Sequence, residues 1–472
     1  MMRSRVFMVP LVVAMLPLGV AMTACNLGEL AGGNQLPSGT SDPGIYQNPA
    51  GALAMYNNTI FTFQYANVTT SSVGGTQGTT SGSNGAFINY MLESGVFTDE
   101  LMAGNLGGPP GQYSTIPVYD SVDARNVLAS ASALGAYGEL QSVRGSASLA
   151  IGALNAYYPA APSDLRGQMY AYEAYAITMM ADFFCSGVPL STLDFKGDYT
   201  YQPGSTTSQL YQAAVAEFDT AITLSPDSIR IQNLARVGLG RALLDLGQYA
   251  EAAQAVALVP DNFVFQYNVD WSGATGIANT GIFSQAFNSV GSTVADQEGT
   301  NGQAFISSGD PRSAVQTALT SPNLYGWPQY VPVKYGGAAR SIMPINVADG
   351  TEARLIEAEA AYQAGNYTTW LNKLNEARGI VNGSLPPLTD PGTDDARVAL
   401  MFQERAFDLF LTGHRQGDLR RMVRQYNLPQ TAVYPVGRYP TNIPVYGNNV
   451  NVPVPSAESA NPLWHGCFDR GA

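Results

Sequence analysis

The chain has 472 residues, with 23 basic against 36 acidic side chains and a formal net charge of −13. This acidic balance argues against nucleic-acid binding, because phosphate contacts need clustered Lys and Arg. Hydrophobic residues make up 45% of the chain, which is ample for a core and excludes a disordered protein. No lysine lies in a Walker A phosphate-binding motif. The two histidines, His414 and His465, lie too far apart for an HExxH zinc site. We therefore expect neither cofactor nor metal.

Residues 1–24 are typical of a lipoprotein signal peptide. Arg3 and Arg5 precede an uncharged apolar run over residues 6–20, which two prolines interrupt and which is short for a membrane span. The run ends in the sequence MTAC, the pattern of a bacterial lipobox, and predicts acylation of Cys25. Secretory cleavage beside an incidental cysteine is the alternative. Several acyl chains would anchor the protein durably, and we expect the outer membrane, with the face left open.

Helical periodicity recurs along the body of the chain. Residues 25–44, rich in Gly, Ser and Asn, predict a flexible tether between the lipid and the fold. Loops are indicated at 68–85 and 103–112, and a Pro-rich extended tail at 428–472. The apolar spacing predicts helices over residues 48–63, 129–157, 167–184, 211–224 and 396–427.

Two segments repeat one helix–turn–helix pattern. Residues 234–256 contain ALLDLGQYAEAAQAV around Gly247, and residues 355–378 contain LIEAEAAYQAGNYTTW around Gly365. Small Ala residues let two antiparallel helices approach and each Gly permits the tight turn, which is tetratricopeptide-like logic. Between the copies, residues 260–345 are rich in Gly, Asn, Tyr and Trp. This stretch predicts a long irregular insertion, and such insertions are usually functional.

Paired carboxylates were considered as catalytic groups, since glycoside hydrolysis uses two across a sugar. We expect all of the candidates to be solvated surface side chains: Asp99 with Glu100, Glu357 with Glu359, and Asp394 with Asp395.

The densest polar cluster lies between residues 404 and 421. Glu404 and Asp408 are four apart and share a helix face, and Gly413 can end that helix in the left-handed conformation. A catalytic interpretation makes His414 a base beside Asp418. The interpretation we favour is a structural ion-pair cluster that joins two helices, made of Glu404, Arg405, Asp408, Arg415 and Asp418.

The other two cysteines are Cys185 and Cys467, and the secretory signal predicts a compartment that permits disulfides. We expect them to pair, and two buried free thiols are the alternative.

Several segments, in order, resemble the SusD/RagB family of outer-membrane nutrient-binding lipoproteins. The C-terminal signature is similar in LNEAR at 374–378 and ERAFDLFLTGHRQGDLRR at 404–421. Other similar segments are FTDE at 97–100, FFCSGVPL at 183–190, LIEAEA at 355–360 and the closing VPVP with Glu458 and Asn461-Pro462. The chain departs from the family pattern at Asp408, where Glu is usual, at Thr412, where an acidic residue is usual, and after Cys25, where no acidic export run follows.

The resemblance implies an all-α protein in which tetratricopeptide-like helix pairs form a curved scaffold, with one domain over residues 45–472. It implies no catalysis, a glycan or peptide ligand, and a TonB-dependent outer-membrane β-barrel as partner. Sugars are held by aromatic platforms and planar amides, so the ligand-binding candidates in the insertion are Trp271, Tyr325, Trp327 and Tyr330. For each of them, packing within an irregular loop is the alternative. Trp370 and Trp464 are expected to pack against helices. Two rivals remain, a lipid-anchored tetratricopeptide scaffold for protein assembly and a glycan hydrolase.

Overall fold

A computed structural model describes residues 47–64, 86–103, 122–127, 135–194, 198–267, 292–317, 328–335, 345–439 and 445–471. Helices dominate these residues, so the predicted all-α class is confirmed. None of the described helices is long and apolar enough to cross a membrane. The helices are α1 (Pro49–Gln64), α2 (Ala86–Phe97), α3 (Gly135–Tyr157), α4 (Ser163–Phe183), α5 (Thr207–Leu224), α6 (Ile229–Asp245), α7 (Tyr249–Val256), α8 (Gly350–Gln363), α9 (Tyr367–Val381), α10 (Asp394–Asp408), α11 (Arg415–Arg424) and α12 (Gln430–Val433).

Short strands form antiparallel two-stranded ribbons between the helices. The ribbons pair β1 with β7, β2 with β5, β3 with β4, β6 with β10 and β8 with β9. The strands are β1 (Leu101–Ala103), β2 (Val188–Pro189), β3 (Thr192–Leu193), β4 (Tyr199–Thr200), β5 (Gly204–Ser205), β6 (Val264–Tyr267), β7 (Ser292–Val294), β8 (Val315–Thr317), β9 (Tyr330–Pro332) and β10 (Ile345–Asp349). The described parts of the insertion, residues 260–345, therefore contain strands and short 3₁₀ turns in place of α-helix.

The two repeated segments fold as the helical hairpins α6–α7 and α8–α9. Gly247 and Gly365 occupy the same position in the two turns, each with a φ of 73° that an L side chain rarely adopts. Gly240 lies where α6 meets α7, and a Cβ there would come within 2.6 Å of Val256. The predicted tetratricopeptide-like pairing thus depends on residues without side chains at the turn and at one crossing.

Helix α4 forms the centre of the core. Every residue from 171 to 183 is buried, as expected for a helix that neighbours enclose on all sides. Its end is paired with the C-terminal tail, because Val452 N–H donates to Phe183 O and Cys185 N–H donates to Val452 O, each at 2.9 Å. The tail is extended, as predicted, over most of its described length. The exceptions are α12 and a 3₁₀ turn at Ser456–Ala460.

The helical prediction over residues 396–427 holds for two helices, α10 and α11, and Gly413 between them has the left-handed conformation that was predicted. The chain leaves the helix after Asp408 and resumes at Arg415. Leu411 and Gly413 have positive φ values of 52° and 81°, which no α-helix accommodates. The break redirects α11 relative to α10 and brings the two ends of the polar cluster together.

Candidate functional site

Tyr330 lies where two of the ribbons meet. Ribbon β8–β9 places Thr317 opposite Tyr330, and ribbon β1–β7 places Ala103 opposite Ser292. The Tyr330 N–H donates to Thr293 Oγ1 at 2.9 Å and so joins the ribbons. The Tyr330 side chain is partly exposed. A partly exposed aromatic ring on a hydrogen-bonded backbone is a suitable platform for an apolar ligand face.

Two parts of the insertion that lie outside the described residues connect to the fold at this junction. Residues 268–291 continue into Ser292, and residues 318–327 follow Thr317, so both segments join the fold beside Tyr330. Trp271, Tyr325 and Trp327 belong to these two segments and lie outside the described residues. Their place in a ligand site therefore stays a prediction.

The ribbon that carries Tyr330 is anchored to the break between α10 and α11. Tyr335 Oη donates to Leu411 O at 2.6 Å, and Lys334 Nζ donates to Phe410 O. Leu411 N–H in turn donates to Glu100 Oε1 at 2.7 Å. The residues directly after β9 are thus hydrogen-bonded to the backbone between α10 and α11.

The predicted cluster divides into three ion-pair groups, and the first joins α9, α10 and the insertion. Arg312 Nη1 lies 2.6 Å from Glu404 Oε2 and 2.7 Å from Asp408 Oδ1. Arg378 Nη1 reaches the same Glu404 oxygen at 2.6 Å. Burial raises the pKa of Asp408 to about 7, against the attraction of Arg312. Glu404 and Asp408 share a helix face as predicted, but their partner Arg312 was not foreseen.

The second group lies between α10 and α11. Arg405 binds Asp418 through two hydrogen bonds of 3.0 and 2.8 Å. Arg421 Nη2 contacts Asp418 Oδ1 at 2.7 Å and Glu359 Oε2 at 3.0 Å. Burial alone would raise the pKa of Asp418, but Arg405 and Arg421 hold it far below its usual value. Such bidentate pairs fix geometry as well as charge.

The third group links α11 to the residues after α2. Arg415 donates to both oxygens of Asp99, at 2.7 and 2.8 Å. Burial opposes ionisation of Asp99, yet the Arg415 guanidinium lowers the pKa of that carboxyl below its usual value. Burial raises the pKa of the adjacent Glu100 to about 7.

The expectation that the paired carboxylates lie on the surface is wrong for three of them. Asp99 and Glu100 are each 1% exposed, and Glu359 is fully buried. The sequence signal for the burial of Asp99 and Glu100 is their position directly after the apolar stretch that ends α2. Asp394 and Asp395 are exposed, as expected.

His414 faces partners other than Asp418. Its Nδ1 lies 2.8 Å from Thr412 Oγ1, and its Nε2 lies 3.1 Å from Glu352 Oε1. Glu352 is also held by Arg241 at 2.6 Å. Arg241 and His414 lower the pKa of Glu352 to about 2, although burial acts to raise it. The arrangement is a buried charge network.

The remaining predicted positions lie in the core and on the tail. Cys185 and Cys467 form a disulfide in this structure, with Cα atoms 5.8 Å apart. Trp370 is fully buried among helices, and Trp464 Nε1 donates to Gly187 O at 2.8 Å. Among the described residues, no group of three or more His, Cys, Asp or Glu side chains is placed to hold a metal ion.

A groove of about 890 Å³ runs between the two helical hairpins. Alanines from α7 and α8 line it together with polar side chains. Its lining includes Gln248, Ala253, Gln254, Glu357, Ala361 and Lys373.

Comparisons with known proteins agree with this architecture. Residues 263–459 match the model of the SusD family. A SusD superfamily protein from Bacteroides vulgatus is 15% identical, with a TM-score of 0.62 over 90% of this chain and 99% of that chain. A SusD superfamily protein from Bacteroides thetaiotaomicron is 13% identical, with a TM-score of 0.63 over 89% and 100%. A laminarin-binding SusD-like protein is 15% identical, with a TM-score of 0.58 over 90% and 100%. A comparison with curated proteins gave no match.

The fold is therefore that of SusD-like proteins, and it extends over nearly the whole chain. The family-model match over residues 263–459 agrees with the SusD/RagB resemblance of the sequence motifs.

Proposed function

We propose that the protein is a lipid-anchored nutrient-binding protein of the outer membrane, which captures a glycan or oligopeptide for a TonB-dependent transporter. The observation that carries this proposal is the SusD-like fold, shared over 90% of the chain with a laminarin-binding protein. A second similar structure is a SusD-like carbohydrate-binding protein from Bacteroides vulgatus, with a TM-score of 0.60. Cys25 carries the lipid, and residues 25–44 form the tether.

The ligand binds at the insertion, on Trp271, Tyr325, Trp327 and Tyr330. Support for this location comes from Tyr330, a partly exposed ring at the junction that residues 268–291 and 318–327 also join. Aromatic faces bind the apolar faces of sugars, and the structure keeps the backbone of Tyr330 fixed through Thr293. The protein binds its ligand and performs no turnover.

Affinity electrophoresis through gels that contain a soluble polysaccharide tests ligand binding. Laminarin is the first probe, followed by starch, xylan and a peptide digest in solution. Replacing Tyr330 or Trp327 by Ala should weaken binding about tenfold, a loss of roughly 1.4 kcal/mol. The matched control is Tyr199→Ala, because Tyr199 is 64% exposed and lies on β4, outside the insertion. Equal weakening by the control, or turnover of any probe, would contradict the proposal.

The rival function, a lipid-anchored scaffold for protein assembly, has one observation in its favour. The groove between the hairpins is large and lined by small apolar residues, as a surface that docks a protein segment would be. The two functions differ in the partner. A nutrient-uptake protein binds a transporter barrel and a ligand. A scaffold binds an assembly partner and no ligand.

A further inference from the structure

The carboxyl group of Asp182 lies in the core, near the C-terminal end of α4, and its polar contacts are hydroxyl groups. Asp182 is 2% exposed. Tyr211 Oη, on α5, donates to Asp182 Oδ1 at 2.6 Å, and Tyr90 Oη, on α2, lies 3.2 Å from Asp182 Oδ2. From α11, a Cβ on Gly417 would come within 3.5 Å of Asp182 Oδ1. Neighbouring helices therefore enclose the carboxyl group.

The Tyr90 hydroxyl lies between two oxygen atoms but carries only one proton. Its second neighbour is Gly413 O, at 2.9 Å, in the break between α10 and α11. A carbonyl oxygen only accepts, so the proton of Tyr90 belongs to this shorter contact and Tyr90 Oη is left as an acceptor toward Asp182. An ionised carboxyl group has no proton to donate. Both contacts of Tyr90 are therefore complete hydrogen bonds only when Asp182 Oδ2 is protonated.

The charged side chains that face Asp182 are engaged elsewhere. From α6, Arg241 binds a carboxylate of α8 at 2.6 Å, and Asp245 is held by Arg421 at 3.0 Å. From α11, Arg420 donates to the backbone oxygen of Asp182 at 2.9 Å. Within the described part of the chain, none of these three arginines forms an ion pair with the Asp182 carboxyl group. A neutral carboxyl group avoids the cost of an unpaired buried charge.

The electrostatic environment favours the same protonation state. Burial, and then the negative charge of Asp245, raise the pKa of Asp182 to about 7, against the attraction of Arg241 and Arg420. The hydroxyl groups of Tyr90 and Tyr211 remain neutral, since burial raises the pKa of each well above its usual value.

Ionisation of Asp182 would redirect the proton of Tyr90. A carboxylate attracts a hydroxyl proton more strongly than a carbonyl does, because a charge-assisted hydrogen bond is about twice as strong as a neutral one. Tyr90 would then donate to Asp182, and Gly413 O would lose its donor. The Tyr90 ring packs directly on Gly413, where a Cβ would come within 2.8 Å of the ring. The effect of ionisation therefore falls on the break.

The break depends on such tertiary contacts. Leu411 and Gly413 have positive φ values, so helical hydrogen bonds do not hold this backbone. Tyr335, after β9, donates to Leu411 O at 2.6 Å. The bond between Tyr90 and Gly413 O holds the other end of the same short segment.

We propose that Asp182 is a proton-sensing group, whose protonated carboxyl holds Tyr90 on Gly413 O and whose ionisation loosens the break between α10 and α11. No covalent bond changes, and the proton leaves to solvent. The device lies in the helical core and does not depend on which ligand the protein binds, so its test and the ligand-binding test can fail separately.

The sign of the pH dependence follows from the raised pKa. A carboxyl group with a raised pKa in the folded protein contributes stability that is complete below the unfolded value, about 3.9 for Asp, and is lost as the pH rises through the folded value. For Asp182 the folded value is about 7. The ionised fraction should grow about tenfold per pH unit below this value and level off above it.

Asp182→Asn is the informative variant, because an amide donates to Tyr90 and accepts from Tyr211 at every pH. Hydrogen exchange by mass spectrometry on the full chain, at each pH from 5 to 9, follows peptides within residues 408–418. Intrinsic exchange of these peptides is equal in the two proteins at one pH, so the ratio of their rates reports opening alone. We expect a ratio near one at pH 5. At pH 9 the natural protein should exchange about fivefold faster, the factor for one lost hydrogen bond.

Two controls separate Asp182 from other buried carboxyl groups. Burial raises the pKa of Glu100, which accepts from Leu411 N–H in the break, to about 7, but Glu100 is present in both proteins and cancels in the ratio. Glu173→Gln is the matched variant, because Glu173 is a buried carboxyl group of the same helix whose pKa burial raises to about 8. It should keep the pH dependence of the natural protein in the break peptides.

Infrared difference spectroscopy observes the proton itself. The spectrum of the natural protein minus that of Asp182→Asn should contain the carbonyl stretch of a protonated carboxylic acid at pH 5 and carboxylate stretches at pH 9. Tyr211→Phe provides a second test that does not require Asp182→Asn to fold. It removes a donor that stabilises the carboxylate, so the exchange transition should move to higher pH.

Three results would overturn the proposal. The first is an exchange ratio between the natural protein and Asp182→Asn that is the same at pH 5 and pH 9. The second is a carboxylate signal from Asp182 already at pH 5. The third is a loss of protection spread evenly over all helices, because the device acts on the break alone.

Discussion

Asp418→Asn gives the sharpest test of the polar cluster. Asp418 is 2% exposed and receives two hydrogen bonds from Arg405 and one from Arg421. The amide retains the shape but removes the negative charge, and so leaves the 2% exposed Arg405 guanidinium without its main counter-charge. Breaking one side of a buried ion pair destabilises a protein by about 3–5 kcal/mol. Glu359 lies 3.7 Å from Arg405 Nη1 and offsets part of this loss, so we expect about 3 kcal/mol.

Urea denaturation followed by circular dichroism measures this difference at pH 7. Asp395→Asn is the matched control, because Asp395 is exposed in the first turn of α10 and contributes about 0.3–1 kcal/mol through the helix dipole. A second readout is pH. The pKa of Asp418 is depressed, so its contribution is present above the unfolded value of about 3.9 and is lost as the pH falls further. A loss no larger than that of Asp395→Asn, or one independent of pH, would refute the reasoning.

Three further predictions concern turns, burial and titration. Gly247→Ala and Gly365→Ala should each lose about 1–2 kcal/mol in urea denaturation, from the left-handed backbone alone, since a Cβ meets nothing within 4 Å at either position. Gly379→Ala, inside α9 and equally open, should instead gain up to about 1 kcal/mol. Trp370→Ala should destabilise by about 3–5 kcal/mol in the same assay, because the ring is fully buried. Burial raises the pKa of Glu93 to about 8, so Glu93→Gln should become more stable relative to the natural protein as the pH rises from 5 to 8, and a constant difference would count against this.

Much of the helical architecture could be predicted from the sequence. Apolar periodicity identified the hairpins, and Gly247 and Gly365 marked turns that the structure shows with equal φ values. Helix starts were less accurate. Helix α5 begins at Thr207, four residues before the predicted start, because the capping box of Thr206 and Gln209 starts the helix ahead of the apolar pattern.

The partners inside the polar cluster could not be predicted from one sequence. Arg415 binds Asp99, which lies 316 residues earlier. Arg312 comes from the insertion to bind Glu404 and Asp408. Local periodicity contains no information on such distant pairs, and a carboxylate without a visible partner was therefore assigned to the surface.

The break between α10 and α11 shows a second reason for error. Gly413 was expected to end the helix, yet α10 already ends at Asp408. Leu411 N–H donates to Glu100, and Leu411 O accepts from Tyr335. Tertiary hydrogen bonds thus override local propensity at the position where Tyr335, which follows β9, contacts the chain.

The central claim is that this protein works with an outer-membrane transporter. The most direct test is affinity purification of the tagged, lipidated protein from gently solubilised outer membranes, followed by mass spectrometry of the bound proteins. A Cys25→Ser variant is the control for anchoring. The account predicts a TonB-dependent barrel in stoichiometric amount with the natural protein. Assembly-machinery components without a barrel would contradict the account and favour the scaffold function.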